Sequence, residues 1–158
     1  MKTIMIGSAR SMSLGRVASV SEQEFYNHPK KWYVIHAKKK THRHSICLDM
    51  RNACSNDHLM YSQDRRAEIY KRGTDAKVDT YCDCSSLVTQ IIRECVACNF
   101  PNCTTYSLPQ EARKSGLFSV YEYTPGIQLW NGDILCTQTK GHVVIVTRNG
   151  LKNCEDKK

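Results

Sequence analysis

Nowhere does this sequence hold an apolar run of about eighteen residues, so a transmembrane helix is excluded. Proline and glycine are sparse, 4 and 8 in 158 residues, and no Pro, Gly, Ser or Gln tract occurs. Collagen-like repeats and wholesale disorder are excluded with them. No internal repeat and no linker is found. Nor is a secretory leader expected: Met1 to Gly7 carries one lysine and a short apolar patch, which Ser8, Arg10 and Ser11 interrupt. Such a leader needs about 7–15 apolar residues at its centre. The expectation is a chain made in the reducing cytoplasm, with its thiols mostly free. Acidic side chains fall short of basic ones, 15 against 23, leaving a formal charge of +8. That surplus favours an anionic partner and does not choose among nucleic acid, an acidic membrane surface and a wall polymer.

The length suffices for one domain with a core, and residues 1–158 are read as a single unit. What the chain does have is cysteine. There are nine, Cys47, Cys54, Cys82, Cys84, Cys95, Cys98, Cys103, Cys136 and Cys154, an odd number that cannot all pair internally. Cys82-x-Cys84 and Cys95-x-x-Cys98 have metal-ligand spacing. The residues between them read as continuous helix, which separates the two groups by about 16 Å, too far for one ion. A smaller site of Cys95, Cys98 and Cys103 stays open beside the plainer reading of small buried residues.

Ser21 with Glu24 fits a capping box that opens a short helical turn through Phe25 and Tyr26. Trp32 to His36 suits a strand, and Lys38 to Lys40 a basic turn. Helices are expected over about Arg43 to Ala53, Gln63 to Lys71 and Ser107 to Lys114, the last with Pro109 near its start and Gly116 past its end. Thr74 to Thr80 reads as loop. Asp83 to Cys98 is the most regular segment: Leu87, Val88, Ile91, Ile92, Cys95 and Val96 fall on one face, behind Asp83 as N-cap. Asp133 to Thr137 and His142 to Thr147 are strand-like and joined as a hairpin, and Asn149-Gly150 marks a turn. Helices first and antiparallel strands last is the α+β pattern.

Cys84 sits on the buried face of the first turn of that helix. Unpaired N–H groups and the positive end of the helix dipole favour a thiolate there. This is a suitable place for a nucleophile, and a nearby base would distinguish it from a structural cysteine. His142, which opens an apolar strand directly after Gly141, is the best candidate for that base. His28, His36, His42, His44 and His58 lie among basic or polar stretches.

Asp83-Cys84-Ser85-Ser86-Leu87-Val88, Asn131-Gly132-Asp133-Ile134-Leu135 and Gly141-His142-Val143-Val144-Ile145-Val146 occur in this order at ordinary distances. Together they resemble the NlpC/P60 family of cell-wall peptidases and the related CHAP amidases, over about residues 60 to 150. The whole chain looks like the catalytic part of phage endolysins from Gram-positive hosts. The resemblance implies a papain-like fold, with N-terminal helices packed on a C-terminal antiparallel sheet. It implies Cys84 as nucleophile and His142 as general base. Asp83 and Ser85 would shape the substrate site, and the Tyr61 hydroxyl would assist the oxyanion or the substrate. Asp133 matches the family's Gly-Asp turn. The residue that orients the base is where the pattern breaks: the usual spacing lands on Cys154, while the neighbouring Asn153 is chemically better suited. A two-residue turn at Asn149-Gly150 puts Asn153 on the face of His142, and a three-residue turn from Arg148 puts Cys154 there.

The implied reaction is hydrolysis of an amide of bacterial peptidoglycan, in the stem peptide or at its junction with the sugar, with no metal and no organic cofactor. A phage lysin without a leader would reach the wall through a holin-type lesion. Only eight residues follow Gly150, so no wall-binding module is apparent: the chain is either a module of a longer protein or finds the wall by charge. Two other classes compete. One is a cysteine hydrolase or acyltransferase of the same fold acting on a non-wall substrate. The other is a basic nucleic-acid-binding module, for which Lys38 to His44 is the only dense basic stretch and lacks interleaved aromatics. Nucleic acid is not the expected partner. Oligomeric state is not legible.

Overall fold

The computed structural model describes residues 3–11, 19–139 and 141–150. Its eight strands are β1 (Met5–Arg10), β2 (Ser19–Glu24), β3 (Trp32–Ala37), β4 (Leu59–Tyr61), β5 (Thr80–Cys82), β6 (Phe118–Glu122), β7 (Ile134–Thr137) and β8 (Val143–Arg148). Four helices are interspersed: α1 (Lys40–Cys54), α2 (Glu68–Arg72), α3 (Cys84–Cys95) and α4 (Leu108–Ser115). All strands join one curled sheet in the order β5-β4-β2-β1-β8-β7-β3-β6. It is mixed, because β4 and β5 pair in parallel while the other pairs are antiparallel. No helix among the described residues is long and apolar enough to cross a membrane.

This overturns the expected papain-like order of N-terminal helices followed by a C-terminal antiparallel sheet. Three strands precede the first helix. The hairpin β7–β8 does form, yet it lies inside the sheet, flanked by β1 on one side and β3 on the other. The apolar runs of β7 and β8 are buried on both faces, as central strands are. Met5–Arg10 forms the strand that pairs with β8. The segment with the capping-box spelling, Ser21 to Glu24, is strand instead of helix. It pairs with β1 from Met5↔Glu24 to Arg10↔Ser19, and ladder bonds to a central strand outweigh a local cap signal.

The core has two parts. On the helical face, Leu87, Val88, Ile91 and Ile92 of α3 and Ile46 and Met50 of α1 pack with Ile35, Val143 and Ile145. On the other face Ile6, Trp32, Val34 and Leu135 pack with Val144 and Val146. Strand alternation therefore sends Val143 and Ile145 toward α3 and their neighbours away from it. Each fully buried aliphatic side chain contributes about 1.5–3 kcal/mol, and the four α3 residues, all 0% exposed, hold Cys84 firmly against the sheet.

Candidate active site

Helix α3 begins where Asp83 stops the extended chain (φ −112°, ψ −174°). The Asp83 carboxylate accepts the Ser86 N–H at 2.8 Å, and the Asp83 N–H donates to the Ser86 hydroxyl at 2.9 Å. This reciprocal cap fixes the first turn and the residue on it, Cys84. Ser85 donates to the same carboxylate at 3.2 Å.

Arg66 closes the arrangement from outside α3, and sequence reasoning missed it. Its Nε donates to Asp83 at 2.8 Å, and its terminal nitrogens donate to the Ser85 hydroxyl at 3.0 Å, the Cys103 carbonyl at 2.8 Å and the Asn102 side chain at 2.9 Å. In the sequence it is one of two adjacent arginines in a polar stretch; nothing there ties it to Asp83, 17 residues on. Cys84 lies in an open cleft of about 510 Å³, bordered by Arg66 and Gln63 on one side and by Thr104, Thr105 and Gly141 on the other.

The Cys84 sulfur receives backbone N–H groups from Val143, Ser85 and Cys84 itself. These stabilise a thiolate, yet burial, and then the Asp83 charge, push the thiol up to about 11. The expected lowering at a helix start is thus outweighed by desolvation, and the resting group at neutral pH is the thiol. The Tyr61 phenol, at the end of β4, is pushed up by burial and by the charges of Cys84 and Asp83. It therefore shares their field. No hydrogen bond joins Tyr61 to Cys84.

His142 precedes β8, next to the residue whose N–H reaches Cys84. Its main chain is pinned to β7: its N–H donates to the Thr137 hydroxyl at 3.1 Å, and its carbonyl accepts the Thr137 N–H at 3.0 Å. The ring meets β1, with Nε2 3.4 Å from the buried Ser8 hydroxyl. Burial, followed by the charges of Arg10 and His28, lowers its pKa to about 4, so the imidazole is neutral. The structure thus brings Cys84, Asp83, Ser85 and Tyr61 into one neighbourhood and sets the His142 backbone beside them. It forms no hydrogen bond between the His142 ring and the thiol. Ser8, on the strand adjacent to β8, is the polar group that touches the ring; Asn153 and Cys154 lie outside the described residues.

Asp133 is fully buried away from the cleft. It bonds the His36 Nδ1 at 2.6 Å and accepts the Trp130 N–H at 2.8 Å, which fits the turn role expected of it. The eight cysteines among the described residues are all free. Cys95 contacts Asp49 and Cys103 donates to the Pro101 carbonyl. Among the described residues no group of three or more His, Cys, Asp or Glu side chains is arranged to hold a metal ion.

Neither a curated protein nor a solved structure matches the chain. A family model described as an endolysin-like domain matches residues 15–153, a span that takes in β2 through β8 and every residue of the Cys84 cleft. The match does not single out the NlpC/P60 or CHAP families, and the fold departs from the papain-like layout that resemblance to them implies. By a match over most of its length, this chain belongs to the endolysin-like domain family.

Proposed function

We propose that the protein is a peptidoglycan hydrolase that cleaves an amide of the bacterial wall, with Cys84 as nucleophile and His142 as general base. One observation carries the reading. The Cys84 sulfur faces an open cleft from the first residue of a capped helix, beneath the N–H of the residue that follows His142. Membership of the endolysin-like domain family supports a wall substrate, and a charge of +8 suits an anionic wall.

The resting pair is a thiol and a neutral imidazole. Catalysis begins when the ring turns from Ser8 toward the thiol and takes its proton; hydrogen bonds of this kind commonly tighten only when substrate is bound. The sulfur attacks the carbonyl carbon, and N–H groups at the start of α3 receive the oxyanion. The C–N bond breaks, the amine leaves with the proton from His142, and a thioester remains. Water then gives a proton to His142 and attacks the thioester; the C–S bond breaks and the sulfur takes the proton back. Tyr61 borders this chemistry as a further donor, and Arg66 offsets the Asp83 charge that would oppose thiolate formation.

Purified peptidoglycan from several Gram-positive walls, digested by wild type and by Cys84→Ala with products read by mass spectrometry, tests the proposal. Cleavage by wild type that is lost in the variant is expected, and the fragment masses name the bond. Equal cleavage by both would remove Cys84 from the reaction. A selectively alkylated Cys84 with no wall cleavage would transfer the activity to a non-wall amide or acyl substrate.

A further inference from the structure

The cleft at Cys84 continues past Thr105. That residue also borders a second hollow of about 220 Å³, and its hydroxyl accepts the Gly141 N–H at 3.1 Å. One side chain therefore separates the two. In the second hollow the Arg113 guanidinium of α4 lies over the Tyr33 ring, 5.7 Å from its centre. It makes no ion pair and no hydrogen bond with any described residue. Its neighbour Lys114 reaches Glu111 at 3.9 Å, and Arg66 in the adjoining cleft is taken up by Asp83. Around Arg113 stand neutral hydrogen-bonding groups, Gln110, Thr137 and Gln138, and the Tyr106 ring, 79% exposed. Among the described residues no carboxylate lines the hollow. A stacked guanidinium without an acid partner, in a concave setting of amides and hydroxyls, is prepared for a planar anion and a peptide chain.

We propose that this hollow is a substrate subsite for a carboxylate-bearing peptide, and that Arg113 holds the carboxylate while the neighbouring amide lies over Cys84. The orientation of the substrate rests on the Cys84 reading given above; the binding of the carboxylate does not. The enzyme then prefers acidic peptides with a free carboxylate a short distance from the scissile bond, and amidation of that group weakens it.

Co-sedimentation with insoluble peptidoglycan separates the two claims, because it needs no turnover. Three proteins are compared at physiological ionic strength: Cys84→Ala, Cys84→Ala with Arg113→Gln, and Cys84→Ala with Lys77→Gln. The last is an exposed charge-matched control whose side chain lines neither hollow. Each is run on native walls and on walls whose carboxylates have been converted chemically to carboxamides. On native walls Arg113→Gln is expected to weaken binding about tenfold, the scale of one charge-assisted contact at a solvated rim. The Lys77→Gln control should lose far less. On amidated walls the Arg113→Gln protein and its parent should bind alike. Equal losses for Arg113→Gln and Lys77→Gln would reduce the effect to net charge and overturn the subsite. So would an Arg113→Gln loss that persists on amidated walls, or a parent that does not bind walls at all. Cleavage retained by Cys84→Ala would sink the catalytic reading and leave this one standing.

Discussion

Cys84 and His142 are displaced from their ordinary acidities in opposite directions, and burial is the leading cause at both. Burial disfavours whichever form is charged, so the thiol rises to about 11 and the imidazole falls to about 4. The pair is therefore neutral across the physiological range, and in the proposed mechanism thiolate forms only as the proton moves to His142. The consequence is visible in a pH profile. An ordinary histidine base loses its competence below about pH 6.5. His142 keeps its lone pair until the pH approaches 4. The acid limb of kcat/KM on soluble wall fragments is expected near pH 4, displaced well below that of an unshifted histidine. A half-point between 6 and 7 would show that His142 is solvated in the working enzyme or is not the base. Ser8 contributes a neutral contact to the ring, where a carboxylate would have raised its pKa.

At the scale of elements, the Asn131-Gly132-Asp133 turn joins α1, β3, β7 and β8. Gly132 has φ +89°, and a Cβ there would stand 2.0 Å from the Arg43 carbonyl oxygen of α1. Asp133 beside it bonds His36 of β3, and the Gly132 N–H donates to the Val146 carbonyl. Gly132→Ala meets both a disfavoured backbone and an immovable carbonyl, and is expected to cost about 3–5 kcal/mol. Gly116→Ala has a similar φ of +74° with nothing near, and should cost only about 1 kcal/mol. Urea unfolding midpoints compare the two, and equal losses would mean that contact with α1 does not matter. The motif was legible in the sequence; its reason was not, because the partner carbonyl is 89 residues away, at Arg43. The same division runs through the fold. Helix α3, its Asp83 cap, α4 with Pro109 and Gly116, β3, and the β7–β8 hairpin were all readable, because periodicity and caps are local. Strand β2 is polar, with Val20 its only buried residue, so it carries no apolar alternation and was mistaken for a helix start. Strands β4 and β5 have three residues each, too few for a period, and depend on one another through a parallel pairing. Arg66 and Ser8 entered the candidate site only through strand order and chain reversal, which no local pattern encodes.

The whole molecule carries two opposed pH responses. His142 resists a proton that the unfolded chain accepts, since its pKa falls from 6.5 to about 4 on folding. Its share of stability is present above the unfolded value and is lost as the pH falls through that window. Asp49 acts in the other sense. Burial, and then a side-chain hydrogen bond with Glu94 beside the Thr74 hydroxyl, raise it from 3.8 to about 7. Its contribution is present at acid pH and is lost as the pH rises through about 7, where the folded state must hold two neighbouring carboxylates without the proton between them. Cys95 also faces Asp49, and its thiol is held protonated by burial and by that carboxylate, so it offers no compensating cation. Replacing Asp49 by Asn keeps an acceptor for Thr74 and removes one titrating group. Thermal melting of wild type and Asp49→Asn from pH 4 to 8 should therefore diverge. The wild-type midpoint loses ground between about pH 4 and 7 relative to the variant, while both weaken in parallel below about pH 6.5 as the unfolded chain protonates its histidine. Parallel curves across the whole range would show that the Asp49–Glu94 pair does not share a proton, and that α1 and α3 are joined there by packing alone.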